Sequence, residues 1–221
     1  MPSPDNESAP PRPTIHTITV ADPPEAWRAC GFTVGDDDIC VVSRVRIHLT
    51  GRDAGKRITG WSLRDSGQKG DELDGLTTTV AAGPLPGASP EHANGVTSID
   101  HIVLLTPNQQ RTIGALQSVG LLALHTRNTD QYGAPFLQTF FRAGEVIVEL
   151  IGPEEPSSDD PAGFFGLAFT VADLDATAAF LGPDGVGAAK DAVQPGRRIA
   201  TLRHKHFGVS VATAFMSPEP S

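Results

Sequence analysis

The chain has 221 residues, of which 39% are hydrophobic and 19% are charged, so it is long enough for one large or two small globular domains. Its formal net charge of -9 argues against a nucleic-acid partner and against docking on an anionic membrane, because both would require a basic surface. No apolar segment has the length that a membrane span needs.

The first segment of the chain, MPSPDNESAPPRP, is polar and rich in proline. It has no apolar centre, so it does not resemble a signal peptide, and we expect residues 1–13 to form a disordered tail. Only two cysteines occur, Cys30 and Cys40, and no C-x-x-C motif is present. We interpret them as reduced thiols of a cytoplasmic protein, although a disulfide between them is geometrically possible.

One pattern occurs three times along the chain: an apolar strand, then Asp or Asn, then a stretch with helical spacing of apolar residues, then glycine. The three copies begin at Ile15, His101 and Gly166. The predicted N-caps, whose side-chain oxygens can accept hydrogen bonds from the first helical turn, are Asp22, Asn108 and Asp173. The glycines predicted to end the three helices are Gly31, Gly120 and Gly182.

After each predicted helix the hydrophobic period becomes that of strands. In the second copy, LLALHTR is one strand, and PFLQTFFRAGEVIVELIGP gives two more with a turn at Ala143 and Gly144. In the third copy, GAAKDAV is followed by RRIATLRHKHFGVSVATAFMSP, with a turn near Phe207 and Gly208. The first copy has a shorter version, ICVVSRVRIHLTG. The repeated unit is therefore predicted to be β-α-β-β-β.

A further opening strand without a following helix is predicted for RITGWSLRD, which begins at Arg57. Two linkers rich in glycine, proline and polar residues, DSGQKGDELDG and AAGPLPGASPEHANG, bracket a possible short strand, LTTTV. These features predict a boundary near Gly95. An incomplete N-terminal region with its linker would occupy residues 14–95, and a C-terminal domain of two units would occupy residues 96–217.

Tandem units that open with DHIVLLTPN and close with GEVIVELIGP resemble the vicinal oxygen chelate superfamily. This group includes glyoxalase I, extradiol dioxygenases, methylmalonyl-CoA epimerase and the fosfomycin and bleomycin resistance proteins. The resemblance is strongest over residues 98–217 and weaker over residues 14–65. It implies an α+β fold in which tandem β-α-β-β-β units pair into curved mixed sheets around a cleft.

In that superfamily the first and last strands of a unit carry the metal ligands, which implies that His101 and Glu149 bind a divalent ion such as Zn, Mn, Fe or Ni. An imidazole with a carboxylate suits these ions. The resemblance also implies that Glu149 is the catalytic base. Gln138 and Phe140 are candidate substrate-binding residues of the same cleft. The alternatives are a structural histidine at the start of a strand, a Glu149 that pairs with an arginine, and a Gln138 that is simply exposed.

The third unit presents no side-chain ligand at the two matching positions, which the alignment assigns to Gly166 and Ala212. The first unit has Ile15, not His16, at the position of the first ligand. Two ligands are too few for a protein metal site. The residues left open as further ligands are His204 and His206, predicted to share one face of a strand, His48, and a residue from a partner subunit in a homodimer.

These features support two main functional hypotheses. The first is a glyoxalase-like, metal-assisted lyase or isomerase that acts on a small oxygenated metabolite. The alternative is a protein without catalytic activity that binds and sequesters a small molecule, as the bleomycin resistance proteins do, with a degenerate metal site. A third hypothesis is a scaffold whose N-terminal unit mediates assembly. Because fold does not fix the reaction, the sequence leaves the three open.

Overall fold

The structure is a computed structural model that describes residues 12–129 and 135–220. The predicted tail lies outside the described residues except for Arg12 and Pro13. Within the described ranges, no helix has the length and apolar character needed to cross a membrane.

The elements follow the predicted order over most of the chain. The helices are α1 (Pro24–Ala29), α2 (Gln109–Ser118) and α3 (Leu174–Gly185), with short 3₁₀ helices at Arg52–Ala54 and His204–Phe207. The strands are β1 (Thr14–Val20), β2 (Ile39–Val42), β3 (Val45–Leu49), β4 (Ile58–Arg64), β5 (Glu72–Leu73), β6 (Leu76–Val80), β7 (Val96–Leu105), β8 (Ala123–Thr129), β9 (Phe136–Ala143), β10 (Val146–Pro153), β11 (Gly163–Val171), β12 (Lys190–Asp191), β13 (Arg198–Thr201) and β14 (Ala212–Met216).

Strands β7 to β14 form a mixed eight-stranded sheet in the order β12-β13-β14-β11-β7-β10-β9-β8. The opening strands of its two units, β7 and β11, lie side by side and antiparallel at the centre. Each is also paired in parallel with the closing strand of its own unit, β10 and β14 respectively. The predicted α+β class and the pairing of β-α-β-β-β units are therefore confirmed.

Strands β1 to β6 form a second mixed sheet in the order β2-β3-β1-β4-β6-β5. Here β4, which contains most of RITGWSLRD, is antiparallel to β1 and parallel to β6, the predicted strand LTTTV. The six-stranded sheet therefore repeats the central arrangement of the eight-stranded sheet. It does so with a half-unit that has lost its helix, as predicted for the segment after Arg57.

Two of the three predicted helix caps are confirmed. The side chain of Asn108 accepts a hydrogen bond from the backbone N–H of Arg111, and Asp173 accepts from two N–H groups in the first turn of α3. The predicted cap at Asp22 is wrong, because Pro23 occupies the N-cap position of α1. The buried carboxylate of Asp22 instead accepts hydrogen bonds from Trp27 Nε1 and from the backbone of the eight-stranded sheet's last hairpin.

The two sheets pack against each other through aromatic side chains. Phe169 of β11 lies 5.1 Å from Phe32 and 6.3 Å from Trp27, measured between ring centroids, and Phe164 lies 5.4 Å from Trp61. Along β7, Ile102 and Leu104 are buried toward this core. The alternate residues of β7 therefore lie on the opposite, partly exposed face of the sheet, which we call the cleft face.

Candidate functional site

The cleft face brings the sequence-predicted residues of the second unit together. His101 is on β7, Glu149 on β10, and Gln138 and Phe140 on β9. In the strand register Glu149 lies beside Val103 on one side and beside Phe140 on the other. All four predicted residues line a cleft of about 480 Å³ on this face.

A chain of polar contacts connects these side chains. His101 Nε2 lies 3.4 Å from Glu149 Oε2, and Gln138 Nε2 donates a hydrogen bond of 2.6 Å to Glu149 Oε1. Arg127 Nε in turn donates to Gln138 Oε1 over 2.7 Å. The guanidinium carbon of Arg127 lies 5.0 Å from the ring centroid of Phe140. His101, Glu149, Gln138 and Arg127 are thus each held by contact with another side chain of the cleft.

A second set of contacts holds His101 from the other side. Asp100 Oδ1 lies 2.7 Å from His101 Nδ1, so Nδ1 donates to the carboxylate. Asp100 Oδ2 forms a 2.6 Å ion pair with Arg197 Nη2 and accepts a hydrogen bond from Thr170 Oγ1. Arg197 also donates to the backbone oxygen of Ser217. Both charged partners are largely buried, with 6% and 13% of their side chains exposed for Arg197 and Asp100.

An irregularity in the strand register explains how two consecutive residues both reach the site. His101 pairs with Ala168 and Ile99 pairs with Phe169, so Asp100 has no partner of its own on β11. Such a bulge re-aims the side chains around it. Sequence reasoning missed the roles of Asp100 and Arg197. The acidic residue directly before His101 in the sequence could have indicated the role of Asp100, whereas no sequence feature around Arg197 indicated that it pairs with Asp100.

The carboxyl groups of Asp100 and Glu149 have pKa values shifted in opposite directions. Burial alone would raise the pKa of Asp100, but the hydrogen bonds and positive charges of His101 and Arg197 outweigh it and lower the pKa to about 2. Burial raises the pKa of Glu149, although the charges of His101 and Arg127 oppose this effect. Asp100 is therefore ionised at neutral pH, whereas Glu149 binds its proton more tightly than an exposed glutamate does.

The remaining wall of the cleft comes from the third unit. It consists of the β12 residues and the loop that follows them, together with two apolar side chains: Lys190, Asp191, Ala192, Val193, Gln194, Ile199 and Met216. Sequence reasoning did not assign this loop to the site. On the outer strand β8, the ring of His125 stacks on Phe140 at 4.6 Å between centroids.

The histidines left open as further metal ligands do not join His101 and Glu149. The prediction that His204 and His206 share a strand face is wrong, because both lie in a 3₁₀ helix, where His204 Nδ1 bonds to the backbone oxygen of Val209. His48 is exposed on β3 of the other sheet. Over residues 12–129 and 135–220, no three or more His, Cys, Asp or Glu side chains are grouped so that they could hold a metal ion.

One of the two matching positions of the third unit, Gly166, is closed to a side chain by packing. His101 pairs with Ile147, two residues before Glu149, and Gly166 pairs with Ala212, so the counterpart of Glu149 is Ala214 rather than the predicted Ala212. A Cβ atom on Gly166 would lie 2.4 Å from the backbone oxygen of Ala212. The glycine is thus required by the close approach of β11 and β14.

Comparison with known proteins identifies the fold. A scan against known protein families gave no match, and a search of curated proteins gave none. Among solved structures, a 4-hydroxymandelate synthase variant from Streptomyces coelicolor is similar over 96% of this chain and 94% of its own, with 15% identity and a TM-score of 0.61.

Two smaller proteins match about half of the chain. Methylmalonyl-CoA epimerase from Mycobacterium tuberculosis is 23% identical over 57% of this chain and 91% of its own, with a TM-score of 0.46. A Streptomyces coelicolor methylmalonyl-CoA epimerase, in complex with 2-nitronate-propionyl-CoA, is 22% identical over 57% and 99%, with a TM-score of 0.42. Taken with the paired β-α-β-β-β units, the full-length likeness to the synthase shows that this chain has the fold of the vicinal oxygen chelate superfamily.

Proposed function

We propose that the protein binds a small oxygenated organic acid in the cleft, through His101, Glu149 and Arg127. The observation that carries this proposal is the 3.4 Å contact between His101 and Glu149 inside a cleft whose wall also contains Arg127 and Lys190. Within the described ranges the guanidinium of Arg127 hydrogen-bonds through Nε to Gln138, and its other N–H groups meet no acceptor there, so they can serve a ligand. Arg127 and Lys190 can each pair with an anionic oxygen of a ligand, in a wall that also contains the carboxyl groups of Glu149 and Asp191.

Preorganisation supports binding as the primary role. The side chains of His101, Glu149, Gln138 and Arg127 contact one another before a ligand arrives, so these four lose little conformational entropy on binding. The cleft volume of about 480 Å³ is also within the usual range for small-molecule sites.

The divalent metal ion that the superfamily implies does not fit the residues present. His101 and Glu149 supply one donor group each, Gly166 and Ala214 supply none, and His204, His206 and His48 lie elsewhere. A stable site generally needs three or more protein ligands. We therefore propose a function that uses only the side chains of the cleft.

The binding proposal is tested with pyruvate as the probe. Pyruvate titrated to millimolar concentration should shift the NMR signals of the His101 ring, and His101→Ala should weaken its affinity at least about tenfold, as expected for losing a charged hydrogen-bond partner. His48→Ala, the same change at an exposed histidine of the other sheet, is the matched control and should leave the affinity unchanged. If pyruvate does not perturb His101, the proposal is wrong.

The metal-free character is tested separately by equilibrium dialysis against Zn, Mn, Fe and Ni ions, followed by metal analysis. We expect no retained metal that depends on His101. One equivalent of metal that disappears in His101→Ala would overturn this part of the proposal.

A second candidate function, metal-independent proton transfer, is favoured by the contact between Asp100 and His101. Because Nδ1 of His101 donates to Asp100, Nε2 is the ring atom that can accept a proton in the cleft. In this reaction Nε2 removes a proton from a carbon beside a carbonyl group and the C–H electron pair forms the enolate; Nε2, after exchanging its proton with solvent, returns a proton to the carbon.

Deuterium exchange of the pyruvate methyl group, followed by proton NMR in D₂O, measures this reaction. The exchange should fall by about 10²-fold or more in His101→Ala, the range expected for loss of a general base. If the protein binds pyruvate but does not accelerate exchange, the binding function stands alone.

A further inference from the structure

We infer that the ligand is an amphipathic acid, whose oxygenated head lies against His101 and Arg127 and whose apolar body lies in a second compartment of the same cleft face. This inference rests on the proposed binding function and specifies its ligand class. The second compartment, which we call the apolar compartment, has a volume of about 760 Å³ and contains Leu105, Phe136, Ile151 and Phe165 in its wall.

Strand spacing places the two compartments on one face. On β7, His101 lines the polar cleft and Leu105, four residues later, lines the apolar compartment. On β10, Glu149 lines the polar cleft and Ile151, two residues later, lines the apolar compartment. On β9, Gln138 lines the polar cleft and Phe136, two residues earlier, lines the apolar compartment. Even separations keep side chains on the same face of a strand.

The register along these strands is unbroken, so residues separated by an even number of positions do lie on the same face. β10 pairs with β7 without interruption from the position of His101 to that of Leu105, and with β9 from Val146 to Pro153. Ile151 of the apolar compartment lies directly beside Gln138 of the polar cleft. The two compartments therefore adjoin each other, and from His101 to Leu105 the face is about 13 Å long.

The chemistry of the face changes along this length. Arg127, Lys190, Glu149 and Asp191 line the polar cleft, whereas none of the described residues that line the apolar compartment is charged. Leu105 and Phe165 are 41% and 40% exposed there. Large apolar side chains that are left together in a concave site indicate a binding surface. A molecule with an anionic head and an alkyl or aromatic body matches this gradient of polarity.

The experiment measures the affinities of a series of acids with one head and growing bodies: pyruvate, 2-oxobutanoate, 2-oxohexanoate and 2-oxooctanoate. Each added methylene that becomes buried should tighten binding about threefold, so that the longest acid binds about 10²-fold more tightly than pyruvate. Phe165→Ser should remove much of this dependence on chain length and leave the affinity for pyruvate unchanged. Phe180→Ser, at an exposed phenylalanine of α3, is the matched control and should change neither.

The possible outcomes separate this inference from the proposed function. If pyruvate binds through His101 but affinity does not rise with chain length, the inference is overturned and the binding function stands. If none of the acids binds, both fail. If Phe165→Ser instead abolishes a dimer of the protein and leaves acid binding unaltered, the apolar compartment is a self-association surface and the inference is also overturned.

Discussion

At the scale of single residues, the ion pair between Asp100 and Arg197 determines how His101 is presented to the cleft. Removing one member of a buried pair leaves the other charge without compensation. We expect Arg197→Gln to lower the free energy of unfolding by about 3–5 kcal/mol, measured by urea denaturation, because the carboxylate of Asp100 would remain buried and ionised. The exposed pair between Arg198 and Asp175 offers a neighbouring control, so Arg198→Gln should barely change the unfolding midpoint. Equal losses in the two variants would contradict this account.

The raised pKa of Glu149 predicts a pH-dependent cost in stability. Burial raises this pKa in the folded protein, so above the ordinary pKa of glutamate the folded state binds more protons than the unfolded state. The free energy of unfolding therefore falls as the pH rises through this range. Glu149→Gln should therefore be more stable than the natural protein at neutral pH, with a gain that vanishes below about pH 4. Denaturation curves measured across this pH range test the sign. Glu154→Gln, at an exposed loop position, should show no such trend, and a gain independent of pH would refute the titration mechanism.

At the scale of elements, the two glycines of β11 differ in what surrounds them. A Cβ atom at Gly166 would contact the backbone of β14, whereas a Cβ atom at Gly163 would meet no atom within 4 Å. We expect Gly166→Ala to cost about 1–3 kcal/mol, as overpacking does, and Gly163→Ala to be neutral or slightly stabilising. Thermal unfolding of both variants gives the comparison. If Gly166→Ala were also neutral, the absence of a ligand at this position would need a cause other than packing.

The elements also show which features were predictable from sequence. The β-α-β-β-β units were predictable because caps such as Asn108 and strands such as VIVELIGP carry local signals of their own. The contact of His101 with Glu149 followed from the resemblance and from strand alternation. The partnership of Asp100 with Arg197 depends on a bulge and on a loop distant in sequence, and the helical turn at His204 depends on the closing hairpin. Neither leaves a periodic pattern in the chain.

At the scale of the whole molecule, the aromatic layer between the sheets couples the N-terminal region to the sheet that carries the cleft. Trp27 and Trp61 belong to the N-terminal region, yet their rings pack on phenylalanines of β11, the strand next to His101. The carboxylate of Asp22 adds a polar link, since it accepts a hydrogen bond from the backbone N–H of Ser210. The domain boundary near Gly95 therefore remains a prediction from the sequence. The packing between the sheets favours a protein whose two regions unfold together.

This coupling predicts that both sheets unfold in a single transition. Tryptophan fluorescence reports on the N-terminal region, because both tryptophans of the chain lie there, and the NMR signal of the His101 ring reports on the other sheet. In urea the two probes should give the same midpoint.

Asp22→Asn should lower both midpoints together, with a loss of about 1–3 kcal/mol in the free energy of unfolding, because Trp27 Nε1 and the N–H of Ser210 then compete for one acceptor oxygen. Asp53→Asn, at an exposed carboxylate, should move neither. If Asp22→Asn shifted the fluorescence transition and left the His101 transition in place, the two sheets would unfold independently, and the N-terminal region would not stabilise the sheet that carries the cleft.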